Sequence, residues 1–234
     1  MKNELNTICI LALSFLLLFS IAELLHRYLK IKAELSRKFV HTGTGFLTLL
    51  FPLLLRSHWS VLLLCSSFAF ILLLSLKYKL LPSINAIGRK SYGSLTYPLS
   101  VYVCFLLFAK QNPQTLAVGN SYTVFYLPIL ILAICDPLAA LCGKRWPYGR
   151  YHIRKETKTL MGSGCFFLAA FLISFMLLRI PGTTQHTFFP ILTASVLIAL
   201  VATTTEALST KGTDNLFIPL TSSAALYLTS FLFH

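Results

Sequence analysis

The stretch SYTVFYLPILILAICDPLAALCGKR, residues 121–145, decides the architecture. Its apolar run over 121–142 is long enough for a helix to cross a hydrocarbon core of about 30 Å. It ends on two cations, Lys144 and Arg145, the flank expected at the cytoplasmic edge of a span. One carboxylate, Asp136, sits inside the run, with Pro137 directly after it, so the helix is expected to bend or break there. Asp136 precedes Lys144 by eight residues, about 12 Å below the loop on a continuous helix. An acid at that depth is expensive, and function is its default explanation; the alternative is a pairing kept only for helix packing.

Seven further runs resemble this one in length and apolarity: 5–25, 39–55, 59–76, 92–109, 161–178, 188–208 and 214–233. The 234-residue chain is 56% hydrophobic, with a mean hydropathy of +0.75. Those values exclude an ordinary soluble domain. The runs are rich in Leu, Ile, Phe and Val without two-residue alternation, so helices and not barrel strands are expected. The predicted fold is all-α: a polytopic membrane protein of about eight transmembrane helices with short loops, one domain over residues 1–234.

Charge orients the bundle. The first, third, fifth and seventh connections hold Arg27, Lys30, Lys32, Arg37 and Lys38; Lys77, Lys79, Arg89 and Lys90; Lys144, Arg145, Arg150, Arg154, Lys155 and Lys158; and Lys211. Only Lys2, Arg56, Lys110 and Arg179 fall on the other side. Lys and Arg accumulate in short cytoplasmic loops, so the odd connections are expected in the cytosol and both termini outside. The stronger basic cluster follows the first run, which favours an uncleaved helix over a signal peptide.

The net charge of +13 is topogenic on this reading and faces anionic headgroups. Nucleic acid is not an expected partner, because the basic groups are split among loops and carry no base-reading motif. Six cysteines form no CxxC, and most lie inside apolar runs, where they read as small buried hydrophobes. The six histidines show no metal-ligand spacing.

Six of the seven acids, all but Glu4, fall on the proposed inner side. Glu206 closes the seventh run five residues before Lys211, either as a functional acid or as that lysine's ion-pair partner. Asp214 and Asn215 open the eighth run, where helix capping and a metal or nucleotide contact are compatible roles. The segment from Lys158 through Thr159 and Gly162 to Gly164 joins a basic loop to a helix N-terminus, which favours a phosphate. Lys144, Arg145 and Lys158 can add charge-assisted contacts, although the pattern is not a Walker loop. Arg37 and His41 share a helix face and suit a phosphate or an acid from another helix, as against interfacial snorkelling for Arg37 and Lys38. Arg89, before the fourth run, offers a further phosphate contact.

Four segments taken together resemble the phytol kinase and dolichol kinase family. They are Glu34 to His41, with its Arg-Lys-x-x-His ending; Tyr92 to Pro98; Cys135 to Arg145 followed by Lys158 to Ser163; and Thr205 to Pro219, with Glu206 before Asp214-Asn215. Their order and spacing match over about residues 34–220. The resemblance implies a polytopic lipid-alcohol kinase that uses CTP as phosphoryl donor with a divalent metal, Mg²⁺. It carries Asp136, Lys144, Lys158, Gly162, Ser163, Glu206, Asp214 and Asn215 into the nucleotide and metal site, and Arg37, Lys38 and His41 by motif match. In this chain Cys135 stands where the family has Gly before the Asp, and Thr159 stands where Ser is common, keeping a hydroxyl.

On this reading Asp136, with Asp214 or Glu206, holds Mg²⁺ through oxygen ligands, and Lys144, Arg145 and Lys158 hold phosphates. The lipid acceptor, phytol-like, polyprenol or diacylglycerol, keeps its tail among the helices. Two other readings compete. The pattern from Asp136 to Ser163 also resembles phosphatidate cytidylyltransferases, which would make a CDP-lipid, but the Asp214-Asn215 segment lacks their fuller acidic signature. A small transporter with a membrane acid is the non-enzyme alternative, against which the acids cluster toward one face.

The charge asymmetry predicts that cysteine-accessibility mapping finds residues 26–38, 77–91, 143–160 and 209–214 in the cytosol and both termini outside. A 143–160 loop labelled from outside reverses the orientation and removes the shared cytosolic site.

Overall fold

The structure, a computed structural model, describes residues 2–78, 80–85, 92–110, 121–154, 156–180 and 188–233. Helices dominate it: α1 (Lys2–Tyr28), α2 (Ala33–Thr48), α3 (Phe51–Leu54), α4 (His58–Tyr78), α5 (Pro82–Asn85) and α6 (Gly93–Ala109). Next, α7 (Thr123–Leu130) runs through a π-helical segment, Ile131–Cys135, into α8 (Asp136–Arg145). A hairpin of β1 (Arg150–Ile153) and β2 (Glu156–Thr159) leads to α9 (Leu160–Leu178), α10 (Phe188–Leu208) and α11 (Asp214–Thr229), which ends in a 3-10 turn, Ser230–Phe233.

Among the described residues, six helical stretches are long and apolar enough to cross a membrane: Glu4–Tyr28, His58–Tyr78, Thr123–Arg145, Leu160–Leu178, Phe188–Leu208 and Asp214–Phe233. A seventh apolar helix, Gly93–Ala109, is shorter. The run expected over 39–55 divides instead. Its helix begins earlier, at Ala33, and stops at Thr48; α3 then starts afresh with Pro52 in its first turn. Proline has no N–H for the preceding turn, so α2 cannot continue through it.

Helix α2 is turned inside out. Ser36, Lys38, Thr44 and Thr48 are buried, while Leu35, Phe39 and Phe46 are exposed. Such a polarity suits lipid outside and a polar interior. The apolar helices bury stripes of small residues: Gly162, Ala170 and Ser174 on α9, and Ala194, Ser195, Ala199 and Ala202 on α10. Small side chains let backbones approach closely, which drives helix association in lipid. The α10 stripe ends on buried Glu206, so the same face that packs the bundle carries the acid inward.

Two apolar clusters result. One joins α7 to α11 around Leu132, Phe166, Ile198 and Ile218, and the other joins α1 to α4, α6 and α7 around Phe15, Phe51, Phe68 and Phe105. Tyr97 packs against both. The region 143–160, read as a loop, contains the antiparallel hairpin, with Arg150 opposite Thr159 and Ile153 opposite Glu156. Its turn puts Arg154 in the left-handed region, φ 55°.

Among the described glycines, Gly45 of α2 leaves the least room for a side chain. A Cβ there would lie 2.2 Å from the Cβ of Ala133 in the π segment. At Gly164 a Cβ meets nothing within 4 Å. Gly45→Ala is therefore expected to destabilise the detergent-solubilised protein by about 1–3 kcal/mol, whereas Gly164→Ala leaves the unfolding midpoint unchanged or slightly raised.

Candidate active site

The beginnings of α2 and α6, the end of α8, strand β2, the start of α9 and the turn between α10 and α11 meet at one end of the bundle. Together with α1, α3 and α4 they line a cavity of about 710 Å³. Asp136, Glu206, Asp214, Lys144, Lys158, Thr159, Gly162, Ser163, Asn215, Arg37, Lys38 and His41 all line it. Of the site residues expected from sequence, Arg145 is exposed and does not line the cavity. One helical step past Lys144 turns it away by roughly 100°. Arg89 lies outside the described residues.

Ion pairs fix the rim. The Lys158 ammonium lies 2.7 Å from Glu206 Oε1, with both side chains largely shielded, and also donates to the Glu206 carbonyl. Lys211, the partner expected from spacing, instead gives its backbone N–H to Glu156 Oε1 at 2.8 Å. Glu206 Oε2 is buried and accepts no hydrogen bond, and the buried Arg37 Nε donates none. Lys144 pairs with Glu34, an acid the sequence reading did not place in the site. Burial raises the Glu34 carboxyl, but Lys144, together with Lys38 and Arg37, lowers it, leaving it below its ordinary value. The buried Lys38 ammonium is within electrostatic reach of Asp136 and Glu34.

Asp136 is also close enough to Glu206 and Asp214 for the charges to interact. Asp214 does not cap α11 from the N-cap position, which Thr213 occupies; its Oδ1 accepts the N–H of Asn215 at 3.0 Å. The Asn215 side-chain amide donates to the Gly93 carbonyl at 2.9 Å and ties α11 to α6. Thr96 Oγ1 adds a bond to the Gly212 carbonyl at 3.0 Å.

The start of α9 is closed by the protein itself. Thr159 Oγ1 caps the helix by accepting from the Gly162 N–H at 3.0 Å. The Leu160 and Met161 N–H groups donate to the carbonyls of Gly149 and Tyr148. The helix end thus offers a phosphate its dipole but not these three donors. A Cβ at Gly143 would lie 2.6 Å from Thr159 Oγ1, and one at Gly162 would lie 2.8 Å from the Ala139 carbonyl, so both glycines serve the close crossing of α8 and α9.

A curated phytol kinase from Synechocystis sp. is 34% identical to this chain over 212 residues, covering 90% of the chain and 86% of the relative. The chain belongs to the phytol kinase family. No family model matches it, and no solved structure does.

The family resemblance rests partly on the segment where this chain has Cys135 and Pro137 around the acid, and the structure explains how that backbone is held. Proline cannot donate to the carbonyls one turn back, those of Ala133 in α-helical and Leu132 in π-helical register. Two side chains of α2 take both: His41 Nε2 bonds the Leu132 carbonyl at 3.0 Å, and Thr42 Oγ1 donates to that of Ala133 at 3.1 Å. The His41 ring also lies 4.0 Å from Asp136 Oδ2 and edge-on to Tyr97. His41 thereby supports the acid's own helix. Thr42 and Tyr97 were not named as site residues, since only the fold brings them to the π segment; Thr42's signal was its adjacency to His41, and Tyr97's was its place in the Tyr92–Pro98 segment.

Thr42→Val leaves the Ala133 carbonyl without its donor, at an expected cost of about 1–3 kcal/mol. The control is Thr204→Val, whose hydroxyl bonds its own helix at an exposed site. Comparing unfolding midpoints checks the difference, and equal midpoints refute the bracing role.

Proposed function

We propose that this protein transfers the terminal phosphoryl group of CTP to the hydroxyl of a membrane lipid alcohol, releasing CDP, at a site that faces the cytosol while both termini lie outside. Family membership supports a lipid-alcohol kinase; the motif resemblance supports CTP. The observation that carries the reading is the form of the cavity. One continuous space joins a mouth with Asp136, Glu206, Asp214, Arg37 and Lys158 to an inner part bounded by Phe15, Phe51, Leu64 and Phe68. A nucleotide suits the first, and an apolar tail the second. The relative's name makes phytol the first acceptor to test.

Among the described residues no three His, Cys, Asp or Glu side chains form a ready metal cage. Mg²⁺ does not need one, because it takes one or two carboxylates and completes its shell with substrate phosphates and water. Asp136 and Asp214 fit as such carboxylates, and the unpartnered Glu206 Oε2 is a third hard oxygen at the same mouth. When bound, the ion would neutralise phosphate charge.

The chain's own groups do the rest. Arg37, with a buried Nε that lacks an acceptor, is a ready phosphate donor. Lys144 and Lys158 can turn from Glu34 and Glu206 to the nucleotide, which exchanges one anion for another at the same cation. As Lys158 turns, Glu206 becomes free to orient the alcohol or take its proton. The alcohol oxygen bonds to the γ-phosphorus, the bond to the β–γ bridging oxygen breaks, and CDP carries away the electron pair. Such transfers depend on positioning and charge more than on covalent help from the protein.

Incubating the purified protein with CTP labelled at the α or γ phosphate, Mg²⁺ and a panel of phytol, polyprenol, diacylglycerol and phosphatidate, the last being the acceptor a cytidylyltransferase would need, tests this. A lipid monophosphate with CDP is expected, whereas pyrophosphate with a CDP-lipid makes it a cytidylyltransferase. Asp136→Asn keeps size and removes charge; turnover at saturating metal and nucleotide is expected to fall by a hundredfold or more, on the order of losing one preorganised charge. Near-normal turnover takes Asp136 out of the mechanism.

A further inference from the structure

The cavity continues well beyond the carboxylates. Its lining passes from His41 through Thr44 and Thr48 on α2 to Phe51 at the start of α3, and on α4 it passes from Leu76 through Leu72 and Phe68 to Leu64. Twelve residues of α4 correspond to a depth of about 18 Å, comparable with one leaflet of the hydrocarbon core. The two threonines make no polar demand on a ligand there. Thr44 donates to the His41 carbonyl at 2.9 Å and Thr48 to the Thr44 carbonyl at 2.6 Å.

At the deep end the wall is aromatic. Phe15 of α1 packs against Phe51 at 6.1 Å and against Phe68 at 5.0 Å between ring centroids. All three rings are buried and all three line the cavity. Phe51 is held there by the chain break at Pro52: α2 stops, and the following turn carries the ring beneath the helix end. A floor built from three interlocked rings on three separate helices yields poorly, because packed interiors respond to a single methylene.

We infer that the Phe15–Phe51–Phe68 cluster is the stop that sets the chain length of the acceptor. The alcohol lies with its hydroxyl at the mouth carboxylates and its tail along α2 and α4, and its last carbons rest on Phe51. This rests on the reading of the cavity as a lipid-alcohol site. Phe51 belongs to neither the nucleotide nor the metal residues, so its side chain is free to set selectivity without touching the chemistry.

The test measures kcat/KM with CTP for the full-length protein in phospholipid nanodiscs over a series of single-chain alcohols: farnesol, geranylgeraniol, phytol and progressively longer polyprenols. The wild type is expected to fall steeply beyond one length. Phe51→Ala opens the floor and raises kcat/KM for the first alcohol past that limit, relative to the preferred one, by about tenfold, the size of effect that one methylene has in an apolar pocket. Phe51→Trp fills the floor and moves the limit to a shorter alcohol. If Phe51→Ala does not fold, Phe15→Leu gives the lengthening arm and Phe51→Trp the shortening one. A purely structural role for the ring lowers activity on every length alike and leaves the limit where it was; that result, or a wild-type profile flat with length, overturns the inference alone. A wild type that phosphorylates no alcohol of any length overturns the underlying reading and the inference with it.

Discussion

A bilayer interior supplies no hydrogen-bond partners, and this constraint organises the protein. Every polar group below the headgroups must find its partner inside the bundle or lie at a water-filled end. Pro137 makes the demand acute, because it leaves carbonyls unserved one turn before it. His41 and Thr42 meet that demand from a neighbouring helix. The same constraint turns α2 inside out, with Lys38, Thr44 and Thr48 inward and Phe39 and Phe46 outward. Gly45 completes the arrangement, since only a residue without Cβ lets α2 come close enough for His41 and Thr42 to reach.

That bracing has a consequence for chemistry. Asp136 heads α8 immediately after the π segment, and the ring that holds the segment's carbonyl lies 4.0 Å from its carboxylate. A π segment costs regularity in the hydrogen-bond ladder and is commonly found where function needs a particular side-chain direction. Here it aims an acid into the cavity that Glu206 and Asp214 also line. The acids do not sit as an isolated negative cluster. Lys158 holds Glu206, Lys144 holds Glu34, and Lys38 stands near Asp136. A paired rim of this kind is stable while empty, and the proposed function has it re-pair when phosphates bring their own negative charge. Leaving such groups unpaired in a low-dielectric setting would be far more costly.

The cavity also reconciles two solvents. Its mouth belongs to water and ions, and its floor of Phe15, Phe51 and Phe68 belongs to the hydrocarbon layer. A substrate with a hydroxyl at one end and an apolar tail at the other is the kind of molecule that spans them without leaving the membrane. The break at Pro52, which costs α2 its continuity, is what closes the far end.

The sequence by itself determined the membrane class, because apolar length and the absence of alternation are properties of the chain alone. The proposed grouping of the odd connections is likewise read from the chain alone, since charge distribution is a one-dimensional pattern. Asp136, Glu206, Asp214 and Lys158 could be named because an acid or a motif cation in an apolar context is conspicuous without neighbours. The partner of each was decided only by tertiary structure. Glu206 meets Lys158 and not the nearby Lys211, and Lys144 meets Glu34, 110 residues away. Arg145 carries the same charge as Lys144 and still faces away, because helix rotation and not composition selects which neighbour enters a cavity. The division of the 39–55 run, the hairpin at 150–159 and the aromatic floor likewise depended on contacts between distant segments. Apolarity tells a segment to leave water, but only packing against other helices tells it how deep, which way round and against which side chain.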